Sequence, residues 1–153
     1  MAPTDKEKVK LPIAAIDLLR HRGPMLLIDR LLARDGDRAT ASAHINPDSI
    51  FFVDEHSILP EYFIEIIAQT MAAANGYDAL CRDSMPKAGF IVGIDDFTLI
   101  TQRPDSSEFL IKVATTMEFA AMKVMTGQVV SGSTQIASAE IKVWEQSDGD
   151  GEQ

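Results

Sequence analysis

Apolar residues recur along this chain in two rhythms, and the change from one to the other sets out the fold. Over residues 59–83 the period is helical. Tyr62, Phe63, Ile64, Ile66, Ile67, Ala68, Met71, Ala72, Ala73 and Ala74 cover nearly the whole circumference, so this helix must be enclosed by the rest of the protein. One polar seam interrupts it: Glu61, Glu65 and Gln69, four residues apart and stacked on one face. Pro60 suits the first turn, where its missing N–H costs nothing, and Gly76 falls inside the helix because Tyr77, Leu80 and Cys81 continue the pattern.

The flanking segments alternate with a period of two. Residues 38–45 set Ala39, Ala41, Ala43 and Ile45 against polar neighbours. With the apolar run 25–34 and the turn Asp35-Gly36-Asp37, they predict a hairpin. After the helix come strands over 87–100, 108–120, 123–130 and 135–144, separated by short turn signals. Residues 13–19 predict a short amphipathic helix ended near Gly23-Pro24. Residues 46–58 are irregular, anchored by Phe51 and Phe52. The expected fold class is α+β, an antiparallel sheet around a central buried helix. No repeat or linker divides it, which gives one domain over 11–146, a flexible arm over 1–10 and a solvated acidic tail over 147–153.

Composition narrows the function. The 153 residues carry a formal net charge of −9, which argues against nucleic acid as a partner. No apolar run reaches membrane-spanning length, and the polar start lacks the apolar stretch of a secretory signal. With Cys81 as the lone cysteine, no internal disulfide forms and a cytoplasmic setting is expected. Cys81 reads as a small apolar residue near the helix end. Three histidines without short spacing predict no metal site, and no cofactor motif is present.

Glu65 is the residue that costs stability without a structural return. A carboxylate between Ile64 and Ile66 must be paired or protonated. An arginine such as Arg30 or Arg82 would give it a purely structural role. His44 falls on a strand surface, Asp95 and Asp96 read as turn and strand residues, and Met117, Met122 and Met125 fill the core or line a tunnel.

Specific motifs then add a resemblance. Leu18-Leu19-Arg20-His21-Arg22-Gly23-Pro24-Met25-Leu26-Leu27-Ile28-Asp29-Arg30, the pair Phe51-Phe52, the helix motif Glu65-Ile66-Ile67-Ala68-Gln69 and the strand motif Gly93-Ile94-Asp95 resemble, in order, those of the 3-hydroxyacyl-acyl-carrier-protein dehydratases. The resemblance covers about residues 13–145 and implies the hotdog fold. One segment departs from the pattern. The family's G-H-F-P-G is replaced by the shorter Val53-Asp54-Glu55-His56-Ser57-Ile58. The position of the family's glycine, whose N–H helps polarise the thioester carbonyl, falls here at or next to Pro60, which has no N–H to offer. The chain is similar here to the dehydratase-like proteins of aryl-polyene pathways.

The resemblance implies dehydration of 3-hydroxyacyl thioesters to trans-2-enoyl thioesters, with Glu65 as acid and His56 as base. Tyr62 or Glu61 would offer a backbone N–H to the oxyanion, Gln69 would orient Glu65, and Phe52 would help bind substrate. His21 is read as structural. A homodimer with tunnels at its interface is expected, higher or mixed oligomers being the alternatives. An acyl carrier protein is the partner implied, although this acidic chain would need a local basic patch from Arg20, Arg22, Arg82, Lys87 or Arg103. The rival functions are a hotdog thioesterase, which attacks with water, and a non-catalytic acyl-binding or partner subunit.

Overall fold

The computed structural model describes residues 9–146. The tail 147–153 and most of the arm 1–10 lie outside the described residues. The long helix, α1, runs Pro60–Cys81 with proline in its first turn. It is preceded by β1 (Ile13–Ala14), β2 (Ile28–Asp35) and β3 (Arg38–His44), and followed by β4 (Gly89–Leu99), β5 (Glu108–Phe119), β6 (Met122–Ser131) and β7 (Thr134–Glu145). The strands form one antiparallel sheet in the order β1-β2-β3-β5-β6-β7-β4. A long helix packed against such a sheet is the hotdog architecture.

The period-two segments become strands because their apolar rows meet the helix. Ala39, Ala41 and Ala43 of β3 stand opposite Val113, Ile111 and Phe109 of β5, and all six are buried. Against them α1 sets Tyr62, Phe63, Ile66 and Ile67, each at most 1% exposed and worth about 1.5–3 kcal/mol on burial. Phe51, Tyr62, Phe63 and Phe109 form an aromatic cluster with ring centroids 5.5–6.1 Å apart. Two glycines set the closest approaches. A Cβ on Gly76 would strike the Leu18 carbonyl oxygen, and one on Gly127 of β6 would strike the Ile67 side chain. Arg34 of β2 fixes the far end of α1, donating from Nε and Nη2 to the two carboxylate oxygens of Asp78 at 3.2 and 2.7 Å.

One expected element is different. The helix over 13–19 is instead the short strand β1 and a single 3-10 turn, Ala15–Asp17. Seven residues are too few for a stable helix. Ile13 and Ala14 gain more by pairing with Leu31 and Arg30 at the edge of the sheet. The run 25–34 likewise turns first through a 3-10 segment, Gly23–Met25, before β2 begins. Asp95 and Asp96 lie within β4 at a register break, where Asp96 takes a positive φ of 51°.

α1 lies mainly across β5, β2 and β3, touches β6 and β7 less, and leaves the edge strand β4 uncovered. That asymmetry creates the site described below. It also leaves two unequal edges. β1 offers two residues, whereas β4 offers eleven with Phe90, Ile91, Val92 and Ile94 each more than 40% exposed.

Gly127→Ala is expected to lower unfolding stability by about 1–3 kcal/mol through overpacking, and an unchanged urea midpoint would contradict the close approach of β6 to α1. The His44–Asp29 pair, 2.7 Å apart, supplies a pH test. The Asp29 hydrogen bond, then its charge, raises the His44 pKa above its ordinary value. The resulting stabilisation is therefore complete below the unfolded histidine pKa, about 6.5, and is lost as pH rises through the folded one. His44→Gln should thus be less stable than wild type at pH 5.5 and indistinguishable from it at pH 9 in the same melt. The reverse order would show that the pair contributes nothing.

Candidate active site

Between α1 and the uncovered part of the sheet lies a hollow of about 430 Å³, within the range of small-molecule sites. Its inner wall is apolar: Met71 from the helix, Met125 from β6, Ile141 and Val143 from β7 and Ile91 from β4. Its polar lining comes from His21, Glu65, Gln69 and Asn75, with Arg20, Lys87 and Glu145 also on the wall. The helical spacing places Glu65 and Gln69 on this one face, as the seam in the sequence requires.

Gln69 is 1% exposed and uses its whole amide. Its Oε1 accepts from the Leu27 N–H at 2.9 Å, and its Nε2 donates to the Met25 carbonyl at 2.7 Å and to Glu65 Oε1 at 3.1 Å. It therefore ties the helix to the segment that enters β2. That segment carries His21, whose Nε2 stands 3.8 Å from Glu65 Oε1. From the other side Arg22 holds the backbone, its Nη1 donating to the carbonyls of Leu19 at 2.6 Å and His21 at 2.7 Å. The His21 Nδ1 is buried and has no hydrogen-bond partner among the described residues.

Glu65 is less enclosed than its neighbours Ile64 and Ile66 suggest. Its side chain is 33% exposed, because the hollow opens beside it. Neither Arg30 nor Arg82 pairs with it, so a purely structural ion pair is not what holds this carboxylate. Of the other expected catalytic and substrate-binding residues, only Gln69 lines the hollow. His56 is 73% exposed and 4.0 Å from Glu55, in a loop closed by Asp54. Asp54 Oδ1 accepts from the His56 and Ser57 N–H groups at 2.8 and 2.9 Å, and these bonds hold its pKa below the ordinary range.

The remaining candidates serve the core or the surface. Tyr62 is 1% exposed within the aromatic cluster, where burial, then the charge of Asp29, raises its pKa strongly. Its backbone N–H is spent on the Leu59 carbonyl at 3.1 Å. Glu61 points to solvent, and Phe52 is half-buried, bridged to Ile58. The residue that sequence reasoning set aside is His21. Its only signal was the resembling opening segment, since no spacing rule connects positions 21 and 65.

Among the described residues no three His, Cys, Asp or Glu side chains are grouped to hold a metal, and no helix is long and apolar enough to cross a membrane. Comparison with known proteins adds family evidence. The model of the ApeP-like family, described as ApeP dehydratase, matches residues 13–152. The structure is similar to the dehydratase heterocomplex ApeI:P from Xenorhabdus doucetiae, with a TM-score of 0.77, 14% identity and coverage of 89% of this chain and 93% of that one. It is also similar to the Escherichia coli PaaI protein from the phenylacetic acid degradation operon, with a TM-score of 0.62, 11% identity and coverage of 78% and 80%. A curated relative, the 3-hydroxyacyl-[acyl-carrier-protein] dehydratase FabZ of Pseudothermotoga lettingae, is 39% identical over 57 residues, which make up 35% of this chain and 41% of that protein. With a family model spanning nearly the whole described fold, and a carboxylate-lined hollow where that fold leaves its sheet uncovered, the chain belongs to the ApeP-like dehydratase family.

Proposed function

We propose that this protein dehydrates 3-hydroxyacyl thioesters, carried on an acyl carrier protein, to trans-2-enoyl thioesters. The observation that carries the reading is the Glu65 carboxylate on the wall of a hollow that also has an apolar lining. The acyl chain would lie against Met71, Met125 and Ile141, which brings C2, C3 and the thioester carbonyl to Glu65. The reaction removes the C2 proton, shifts that electron pair into the C2=C3 bond and expels the C3 hydroxyl as water. It needs a group that can both take and give a proton at adjacent carbons. Glu65 is the group in reach. Family membership and the partial similarity to FabZ support the same chemistry, and the cations Arg20 and Lys87 give an acidic carrier a local place to approach.

His56 has no part in this reading, because its imidazole faces solvent beside Glu55 and away from the hollow. The assembly proposed is a pair of hotdog chains joined along β4. Ile91 and Ile94 stand opposite Val143 and Ile141, on the inner face of the sheet, and both remain more than 40% exposed. An eleven-residue apolar edge of this kind invites pairing. A second copy of this chain is the occupant proposed. The similarity to ApeI:P, which is a heterocomplex, favours one other reading, in which the second chain is a related hotdog subunit.

Glu65→Gln should reduce enoyl thioester formation by about 10²-fold or more, with an unchanged circular dichroism spectrum and thermal midpoint. Turnover near the wild-type rate would remove the central claim. His56→Ala should stay within about threefold of wild type in the same assay, as expected for a solvated side chain; a collapse would mean that a neighbouring chain delivers this histidine to the site. Light scattering should give twice the chain mass for the purified protein and the single-chain mass for Ile94→Glu. A wild-type monomer that becomes active only with a second hotdog chain would favour the mixed pair.

A further inference from the structure

The oxyanion that forms on the thioester oxygen needs a donor, and the start of α1 does not offer an obvious one. Pro60 has no N–H, the Tyr62 N–H is bonded to Leu59, and none of Pro60, Glu61 or Tyr62 lines the hollow. The cavity wall carries further donors in Arg20, Asn75 and Lys87. The one that stands beside Glu65 with no bond of its own there is His21, its Nε2 3.8 Å from Glu65 Oε1. We infer that His21 is the hydrogen-bond donor to the thioester oxygen, through Nε2–H, and that Glu65 alone carries the proton from C2 to the leaving hydroxyl. This rests on the dehydration reading and adds to it an assignment of roles.

The two ring nitrogens have different surroundings. Nε2 faces the hollow and Glu65, while Nδ1 is buried and unpartnered among the described residues. A ring proton on Nδ1 would strand a buried donor, which folded proteins rarely tolerate; an unused acceptor is tolerated better. The proton therefore belongs on Nε2. In that tautomer Nε2 has no lone pair free, so it cannot remove a proton from C2. It can polarise a carbonyl, as neutral imidazoles do elsewhere, and a fixed donor aimed at developing charge is an effective form of catalysis. Its position is set without Nδ1, through the Arg22 guanidinium on the backbone and the Gln69 amide on the segment that follows.

The Gln69 bond also distinguishes the two oxygens of Glu65. Oε1 accepts from Gln69 and lies nearer His21, which leaves Oε2 as the oxygen that exchanges a proton. In the forward reaction Oε2 takes the C2 proton, and the C–H electron pair moves into an enolate whose charge rests on the thioester oxygen under the His21 Nε2–H. The carbonyl then re-forms, C2=C3 closes and the C3–O bond breaks. Oε2 returns the proton to the departing hydroxyl, releasing water and restoring the carboxylate. Gln69 is a positioning residue in this scheme.

Two measurements test the assignment. In ¹⁵N-labelled full-length protein, long-range ¹H–¹⁵N correlations should show the neutral form of the His21 ring with its proton on Nε2, the signals being assigned by their loss in His21→Gln. In the dehydration assay His21→Gln, whose amide N–H can replace the Nε2 donor, should keep activity within about tenfold of wild type, while His21→Leu should lose about 10²-fold or more. An Nδ1–H tautomer, or a His21→Gln variant as inactive as His21→Leu, would overturn the inference and make His21 a base. If wild type dehydrates no hydroxyacyl thioester, the functional reading fails, yet the tautomer still decides whether His21 presents a donor to the hollow.

Discussion

The site depends on one buried amide. Gln69 sits buried in the middle of α1, and each polar atom of its side chain is matched by a group on the opposite wall or on the same helix. No other side chain of similar length could do this. Glutamate would lose the donors and set two carboxylates against each other, and leucine would strand the Met25 carbonyl and the Leu27 N–H. Leaving such groups unpaired in the interior costs about 1–3 kcal/mol each. The bond network is thus a stability feature first, and its chemical effect follows from geometry. By holding Met25 and Leu27 to the helix it holds the loop just before them, and that loop carries His21.

A second constraint is the incomplete cover of the sheet. One helix of 22 residues shields roughly the β2, β3 and β5 portion of a seven-stranded sheet. At the far edge β4 presents Ile91 and Ile94 on the inward face, both more than 40% exposed. The hollow and the exposed β4 edge have this one cause. Ile91 belongs to both, lining the hollow and standing on the edge strand, so a chain pairing with β4 would also wall the hollow. Under the proposed reading, assembly and closure of the site are physically linked.

Much of this was legible in the sequence because it follows from periodicity. Alternation in 38–45 and 135–144 gave strands, and the encircled helix over 59–83 required a wrapping sheet. The four-residue step from Glu65 to Gln69 placed both on one face. What was not legible depended on tertiary placement. The segment 13–19 has a helical apolar pattern, yet two of its residues pair with β2, since edge hydrogen bonds outweigh propensity in so short a run. His56 drew attention through its place just before the helix, although Asp54 folds that loop on itself. His21 was read as structural from its place in the resembling opening, and the Gln69 bridge to Met25 and Leu27 helps to hold that segment beside Glu65.

The departures from the dehydratase pattern form one consistent set. Shortening the loop before α1 removes the glycines that would have approached a substrate, and Pro60 removes an N–H at the helix start. If only these losses had occurred, the chain would have an acid without an electrophile, and a non-catalytic role would follow. But the hollow does not lie at the helix start. Its helical wall begins at Glu65, one turn further in, where the neighbouring backbone is the segment entering β2 and the first polar side chain across the gap is an imidazole. Under the proposed reading the substrate's carbonyl lies that one turn further in. The chemistry would then draw on the loop before β2 rather than the loop before α1, in keeping with His21 having one nitrogen toward the hollow and the other buried.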